Sequence, residues 1–319
     1  MSVLVYTENW DGVFKKLSFE LVSYAAKVAE LMETSVTAVS IGDVADEELN
    51  KLGAFGASKV VKVEGNSTLD NQVYTNILAQ IAEAESAKVV VISHNNTGKA
   101  IAPRLSVKLK AAVGAGLIKL PVSTEPFTVS KKVFSGKAFA NVVLKTDVKI
   151  LTLSQNSFEV IEMGGLATIE TFVPDSGEAK TVVKDVQKQT GKILLNDAEI
   201  VVSGGRGLKS ADNWGVIEDL AKELGAGTAC SRPVSDEGWR PHEEHTGQTG
   251  KIIAPNLYFA VGISGAIQHM AGISSSKCIV AINNDGDAPV FESSDYGIVG
   301  DAMKVLPALT EAIKEAKNK

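Results

Sequence analysis

Gln268 and His269 set a neutral amide beside an imidazole, a few residues after the small-residue corner Ile263-Ser264-Gly265. The surrounding stretch, Leu257–Asn283, reads as strand, tight glycine turn, short helix and strand. Ser264 is placed to cap that helix, because its hydroxyl can accept from a free backbone N–H. A helix start offers unpaired N–H groups and partial positive charge, which suits a phosphate. Gln268 and His269 then share a face with Gly265 and Gly272, while Ile267, Met270 and Ala271 turn toward a core. A polar pair beside a phosphate-binding turn points to a nucleotide cofactor with its reactive ring nearby.

Three other clusters could serve the same ligand. Ser203-Gly204-Gly205-Arg206-Gly207 follows a strand and precedes a helix. Its glycines allow close backbone approach to a ligand, and Arg206 offers a planar fork to a phosphate. The strict G-x-G-x-x-G spacing is absent, so in isolation this reads as a glycine turn with a surface arginine. In Cys230-Ser231-Arg232-Pro233, the proline favours an extended Arg232 that could face a ring or an anion. Alone, that reading and an ordinary loop arginine are even. Gly247-Gln248-Thr249-Gly250-Lys251 sets two neutral hydrogen-bonding side chains between glycines, a polar turn unless its neighbours supply a ligand.

Other polar groups carry less. His242-Glu243-Glu244-His245 lacks the helical H-E-x-x-H spacing of a zinc site and reads as a solvated loop. His94 lies in a capped helix start without P-loop spacing, and Cys278 reads as packing within a strand. No Ser-His-Asp or Cys-His set emerges.

The elements that must position these residues alternate. Val3–Tyr6, Val36–Ile41, Val60–Val63 and Val89–Ser93 read as strands separated by amphipathic helices, which implies a parallel sheet covered on both faces. Near Leu120 the pattern changes. Phe127–Val133, Lys137–Leu144 and Lys149–Ser154 read as antiparallel strands with a turn at Ser135-Gly136, and Phe158–Val183 as irregular. A polar linker falls near Gln187–Asn196, dividing a domain of residues 1–190 from one of residues 191–319. The second α/β unit opens with Glu199–Val202 and Ala211–Leu224, and Pro307 is expected to break its last helix. A length of 319 residues agrees with two domains. Net charge −6 argues against a nucleic-acid partner. Two unrelated cysteines fit a reducing compartment, and no signal peptide or membrane-spanning run is visible, so a cytoplasmic protein is expected, with a mitochondrial-matrix protein shorn of its transit peptide as the alternative.

Together, Ser203–Leu208, Ser231-Arg232, Gly247–Lys251, Leu257–Asn283 and Asp295–Asp301 resemble the alpha subunit of electron-transfer flavoproteins. The resemblance covers the whole second domain, with weaker motifs in the first. It implies two α/β/α domains with parallel sheets, the first with an antiparallel extension and no nucleotide, the second Rossmann-like and holding one non-covalent FAD. It implies a heterodimer with a beta subunit that carries AMP or a second FAD. Electrons would come from dehydrogenases such as acyl-CoA dehydrogenases and leave to a membrane quinone oxidoreductase.

Carried over by motif, Arg206 would contact FAD beside the glycine turn. Ser231, Arg232, Gly247, Gln248 and Thr249 would line its ring. Ser264, Gly265, Ala266, Ile267 and Gln268 would hold phosphates and ribityl chain. His269 would donate to a ring carbonyl, and Asn283 and Asp301 would meet the adenosine. Arg232 and His269 would balance negative charge gained on reduction. Many relatives have Asn-Asp-x-Gln where this chain has His242–His245, and an apolar residue in place of Thr246. A flavin- or NAD-dependent enzyme with its own substrate, and a redox-silent nucleotide-binding subunit, are the competing readings.

Overall fold

A computed structural model describes residues 2–65, 68–134, 136, 138–186 and 193–318. The chain divides into two compact units, Met1–Gln187 and Lys188–Lys319. Most of the expected linker, and residues 135 and 137 of the expected turn and strand, lie outside the described residues.

In the first unit the strands are β1 (Ser2–Tyr6), β2 (Asn9–Trp10), β3 (Val13–Phe14), β4 (Ser35–Ile41), β5 (Lys59–Val63), β6 (Ala87–Ser93), β7 (Ala112–Leu117), β8 (Ser123–Thr124), β9 (Phe127–Val133), β10 (Ala138–Val143), β11 (Lys149–Leu153) and β12 (Thr168–Thr171). Its helices are α1 (Lys16–Leu31), α2 (Asp46–Ala54), α3 (Asn71–Ala84) and α4 (Asn96–Leu109). The main sheet runs β10-β9-β7-β11-β6-β1-β4-β5-β12, with β8 paired to β9. Among the described residues its antiparallel pairs all involve β9, with β7, β8 and β10 as partners, and the other neighbours pair in parallel. Val3 and Val5 feed one core and Leu4 and Tyr6 the other, so helices cover both faces of this strand. Asn95 accepts from the Gly98 N–H at 2.9 Å, which caps α4 as the sequence predicts.

Three readings of this unit are corrected. Lys149–Leu153 is no antiparallel strand: β11 is inserted in parallel between β6 and β7. Its run Ile150–Leu153 is buried throughout, the mark of a strand covered on both faces. The segment Ala112–Leu117, unassigned in the sequence, is a strand. So is Thr168–Thr171, which edges the sheet beside β5 within the stretch read as irregular.

The second unit holds β13 (Ile200–Gly204), α5 (Gly215–Leu224), β14 (Gly227–Cys230), α6 (Arg232–Asp236), β15 (Leu257–Val261), α7 (Ile267–Ile273), β16 (Cys278–Asn283), β17 (Tyr296–Val299) and α8 (Ala302–Lys317). All five strands pair in parallel, in the order β14-β13-β15-β16-β17. Tyr258 and Ala260 of β15 enter one core, Phe259 and Val261 the other. The chain leaves β13 toward β14 on one side and toward β15 on the other. The resulting crevice lies between β13 and β15, where sheets of this type take ligands. Pro307 does not break α8, which runs through it. The proline removes one bond, to the Met303 carbonyl, and Met303 is surface-exposed, so water can satisfy that oxygen.

Candidate functional site

A cavity of about 740 Å³ opens at the carboxyl ends of β13, β14, β15 and β16. Each strand end contributes lining residues: Arg206 and Gly207 after β13, Ser231 and Arg232 after β14, Gly262 to Ser264 after β15, Asn283 to Asp285 at and after β16. Ala266, Gln268 and His269 add the start of α7, and Gly247, Gln248 and Thr249 come from the loop before β15. Four separated motifs thus converge on one crevice. Three expected residues do not line it. Gly265 (φ +88°) packs so tightly that an added Cβ would sit 2.3 Å from the Val290 nitrogen. Ile267 is exposed, and Asp301 caps α8 by accepting from the Met303 N–H at 3.0 Å.

The local geometry departs from the sequence reading in several places. Ala266, not Ser264, is the residue before α7, and no side chain caps that helix. The corner needs two extra residues because Gly262 (φ +61°) and Gly265 both turn through left-handed backbone. Ile267 therefore faces solvent instead of the core, and Gln268 is exposed, while His269 and Gly272 are buried. The Ser203–Gly207 turn commits two of its backbone N–H groups to the neighbouring strand end, although Gly207 still lines the cavity. The Gly205 and Gly207 N–H groups donate to Val261 and Gly262 carbonyls, at 2.8 and 3.0 Å. An added Cβ at Gly205 would lie 2.2 Å from the Gly262 oxygen, so these glycines let two strand ends meet. Arg232 is not held extended; it is the first residue of α6, with Pro233 in the first turn, where a missing N–H costs nothing.

The His242–His245 segment is solvated only in its first half, at His242 and Glu243. Glu244 and His245 are buried, at 6% and 3% exposure. Arg240 grips Glu244 with two bonds of 2.8 and 2.9 Å, reaches Glu218 at 2.9 Å, and lies 5.3 Å from the centre of the Trp214 ring. The Thr246 N–H donates to the Cys230 carbonyl at 3.0 Å, and the Gln248 N–H to the Gln268 carbonyl at 2.7 Å. This loop is thereby fastened to both β14 and α7. His245, read in the sequence as part of a solvated loop, and Thr246, noted there only as a departure from relatives, line the cavity, as do Asp236, Asn284, Asp285, Ala288 and Pro289, which the sequence left unassigned. Among the described residues no cluster of histidine, cysteine and carboxylate groups could hold a metal.

Electrostatics at the cavity are mixed. Arg206 and Arg232 are exposed at its rim, near Glu237 (3.6 Å) and Asp236 (3.3 Å). His269 is buried, with its Nε2 3.0 Å from the Tyr258 hydroxyl and its Nδ1 without a hydrogen-bond partner. Burial brings its pKa down to about 4; the Thr246 backbone opposes that shift and nearby His245 reinforces it. Burial also raises the Tyr258 pKa, so that hydroxyl keeps its proton. Asn283 donates to the Ile263 carbonyl at 3.0 Å and pins the corner after β15.

A five-stranded parallel α/β unit with a crevice at its switch point places the protein in the doubly wound class, whose members take ligands there. Residues 194–274 match the family model described as the electron transfer flavoprotein FAD-binding domain, and residues 3–186 that described as the electron transfer flavoprotein domain. The chain belongs to the electron transfer flavoprotein family, in its alpha-subunit branch. The electron transfer flavoprotein subunit alpha of Bacillus subtilis is 34% identical over 321 residues, covering 98% of this chain and 97% of the relative. That of Syntrophomonas wolfei is 35% identical, covering 98% of each. Protein FixB of Escherichia coli is 36% identical over 89% of this chain and 92% of its own length.

Proposed function

We propose that the cavity of the second unit holds one non-covalent FAD and that the chain acts as the flavin-bearing half of a soluble electron carrier. The supporting observation is the convergence on one 740 Å³ crevice of Arg206, Ser231, Arg232, Gly247, Gln248, Thr249, Ser264, Ala266, Gln268, His269 and Asn283. Gly265, Ile267 and Asp301 shape the surrounding corner and helix instead. The donor set fits a flavin nucleotide. Arginines and the start of α7 suit phosphates, and neutral amide, hydroxyl and imidazole groups suit a heteroaromatic edge.

FAD, when bound, supplies the redox chemistry. The chain's own groups set its surroundings. Neutral His269 sets an uncharged imidazole beside the bound ring, with its Nε2 held 3.0 Å from the Tyr258 hydroxyl. Arg206 and Arg232 add positive potential at the rim, which favours added negative charge. In the same reading a beta subunit completes the carrier and holds AMP or a second FAD. Dehydrogenases such as acyl-CoA dehydrogenases donate, a membrane quinone oxidoreductase accepts, and the protein works in the cytoplasm. No helix among the described residues is long and apolar enough to cross a membrane.

The test is co-expression with the beta subunit, followed by an absorption spectrum and cofactor extraction. The expected outcome is a yellow complex that releases FAD equimolar with this chain and bleaches on dithionite. A complex that stays colourless after incubation with FAD would rule the proposal out.

A further inference from the structure

The cavity contains a second buried imidazole. His245 lines it, is 3% exposed, and has an Nδ1 with no hydrogen-bond partner. Its two ring nitrogens meet different surroundings. A Cβ added to Gly250 would lie 2.8 Å from Nδ1, and one added to Gly247 would lie 3.4 Å from Nε2. Gly247 lines the cavity and Gly250 does not, so Nε2 is the nitrogen on the cavity side. A buried N–H without an acceptor is rarer and costlier than a bare lone pair, so the neutral ring keeps its proton on Nε2. Charging the ring would place an unpaired donor at Nδ1. Burial, then His242 and Arg232, already lower its pKa, with Asp236 opposing them. His269, from α7, and Cys230, bridged to His245 at the end of β14, are further titratable neighbours.

We propose that His245 is a cofactor-binding residue of this chain, donating a hydrogen bond from Nε2 to a carbonyl oxygen or bare nitrogen on the edge of the flavin ring. This rests on the cavity being the FAD site. His245 would then act beside His269, one imidazole from the loop and one from the helix. Its position is fixed from behind. Glu244 is clamped by Arg240, the neighbouring Thr246 N–H is bonded to Cys230, and the ring occupies the space that a side chain on Gly250 would need.

Long-range proton–nitrogen NMR of the histidine rings, on the full chain with and without FAD, reads the tautomer and the contact directly. At pH 7 His245 should show the neutral Nε2–H form, and its Nε2 resonance should shift when FAD is added. His245→Leu should weaken FAD binding about tenfold and His245→Gln, which keeps a donor, by less than about threefold. An Nδ1–H tautomer, an unmoved Nε2 signal, or wild-type affinity in His245→Leu overturns the inference while leaving the FAD site intact. Should His245→Leu fail to fold by circular dichroism, the wild-type NMR result decides. If the complex with the beta subunit takes up no FAD, the cavity assignment itself falls, and this inference with it.

Discussion

At His269, burial has a consequence that acid titration can read. The folded chain holds this imidazole at about 4, against about 6.5 when unfolded. As pH falls below 6.5 the unfolded chain binds a proton that the folded chain refuses, so stability is lost between pH 6.5 and pH 4 and is fully present above that window. From pH 7 to pH 5 this one residue should cost about 2 kcal/mol. His94 and His245, whose pKa values are also lowered by burial, add to the acid sensitivity of the whole chain. Comparison with His269→Gln isolates the contribution. Urea unfolding of the cofactor-free proteins at the two pH values should show a loss about 2 kcal/mol smaller in the variant. Equal losses would mean that His269 is charged in the fold. The residue itself stands out in the sequence because it follows a glycine corner and a strand. Its partner Tyr258 does not, since nothing in the spacing says that an inward-facing tyrosine of β15 reaches back to α7.

The loop and helix that frame the cavity depend on two contacts of different kinds. Gly272 of α7 lies against the loop so closely that an added Cβ would fall 2.4 Å from Gly247 Cα, which is backbone and has nowhere to move. Gly272→Ala should therefore cost about 1–3 kcal/mol and weaken FAD binding, because the displaced loop carries Gln248 and Thr249. Unchanged urea midpoint and unchanged FAD affinity would refute this packing. The second contact is the ion pair of Arg240 with Glu244, whose side chains are 16% and 8% exposed. Arg240→Met strands a buried carboxylate and should destabilise by about 2–4 kcal/mol, whereas Arg240→Met with Glu244→Leu should recover most of that. A double variant no more stable than the single one would show that the charge on Glu244 is not what the arginine offsets. Neither contact was legible in advance. Charge in Pro241–Glu244 suggests solvent, and only the fold reveals that Trp214 and Glu218 enclose the arginine. Likewise Ser264 has the chemistry of a cap, but cap position depends on where the backbone resumes helical angles, which Gly262 and Gly265 postpone. The alternating strands and helices were legible, because apolar period survives in sequence. The parallel pairing of β11 was not, because its partners β6 and β7 lie tens of residues away.

On the scale of the whole molecule, every residue lining the cavity belongs to the second unit, and that unit buries its own cores on both faces of its sheet. One core contains Tyr258, Ile273 and Ile279, and the other Trp214, Ile217, Phe259 and Leu306. A unit of this size with two covered sheet faces has what an independent domain needs. A fragment of residues 193–319 should therefore fold by itself, with a cooperative melt and the near-ultraviolet dichroism of ordered aromatic residues. It should also bind FAD within about tenfold of the full chain, since it would lose none of the lining groups and pays the same ordering of the loop; tenfold is about 1.4 kcal/mol. Circular dichroism and flavin fluorescence titration on the fragment check both halves. A folded fragment without FAD affinity would mean that groups outside the second unit complete the site. A fragment with helical far-ultraviolet signal but no near-ultraviolet signal or melt would mean that its cores are not sufficient without the first 192 residues.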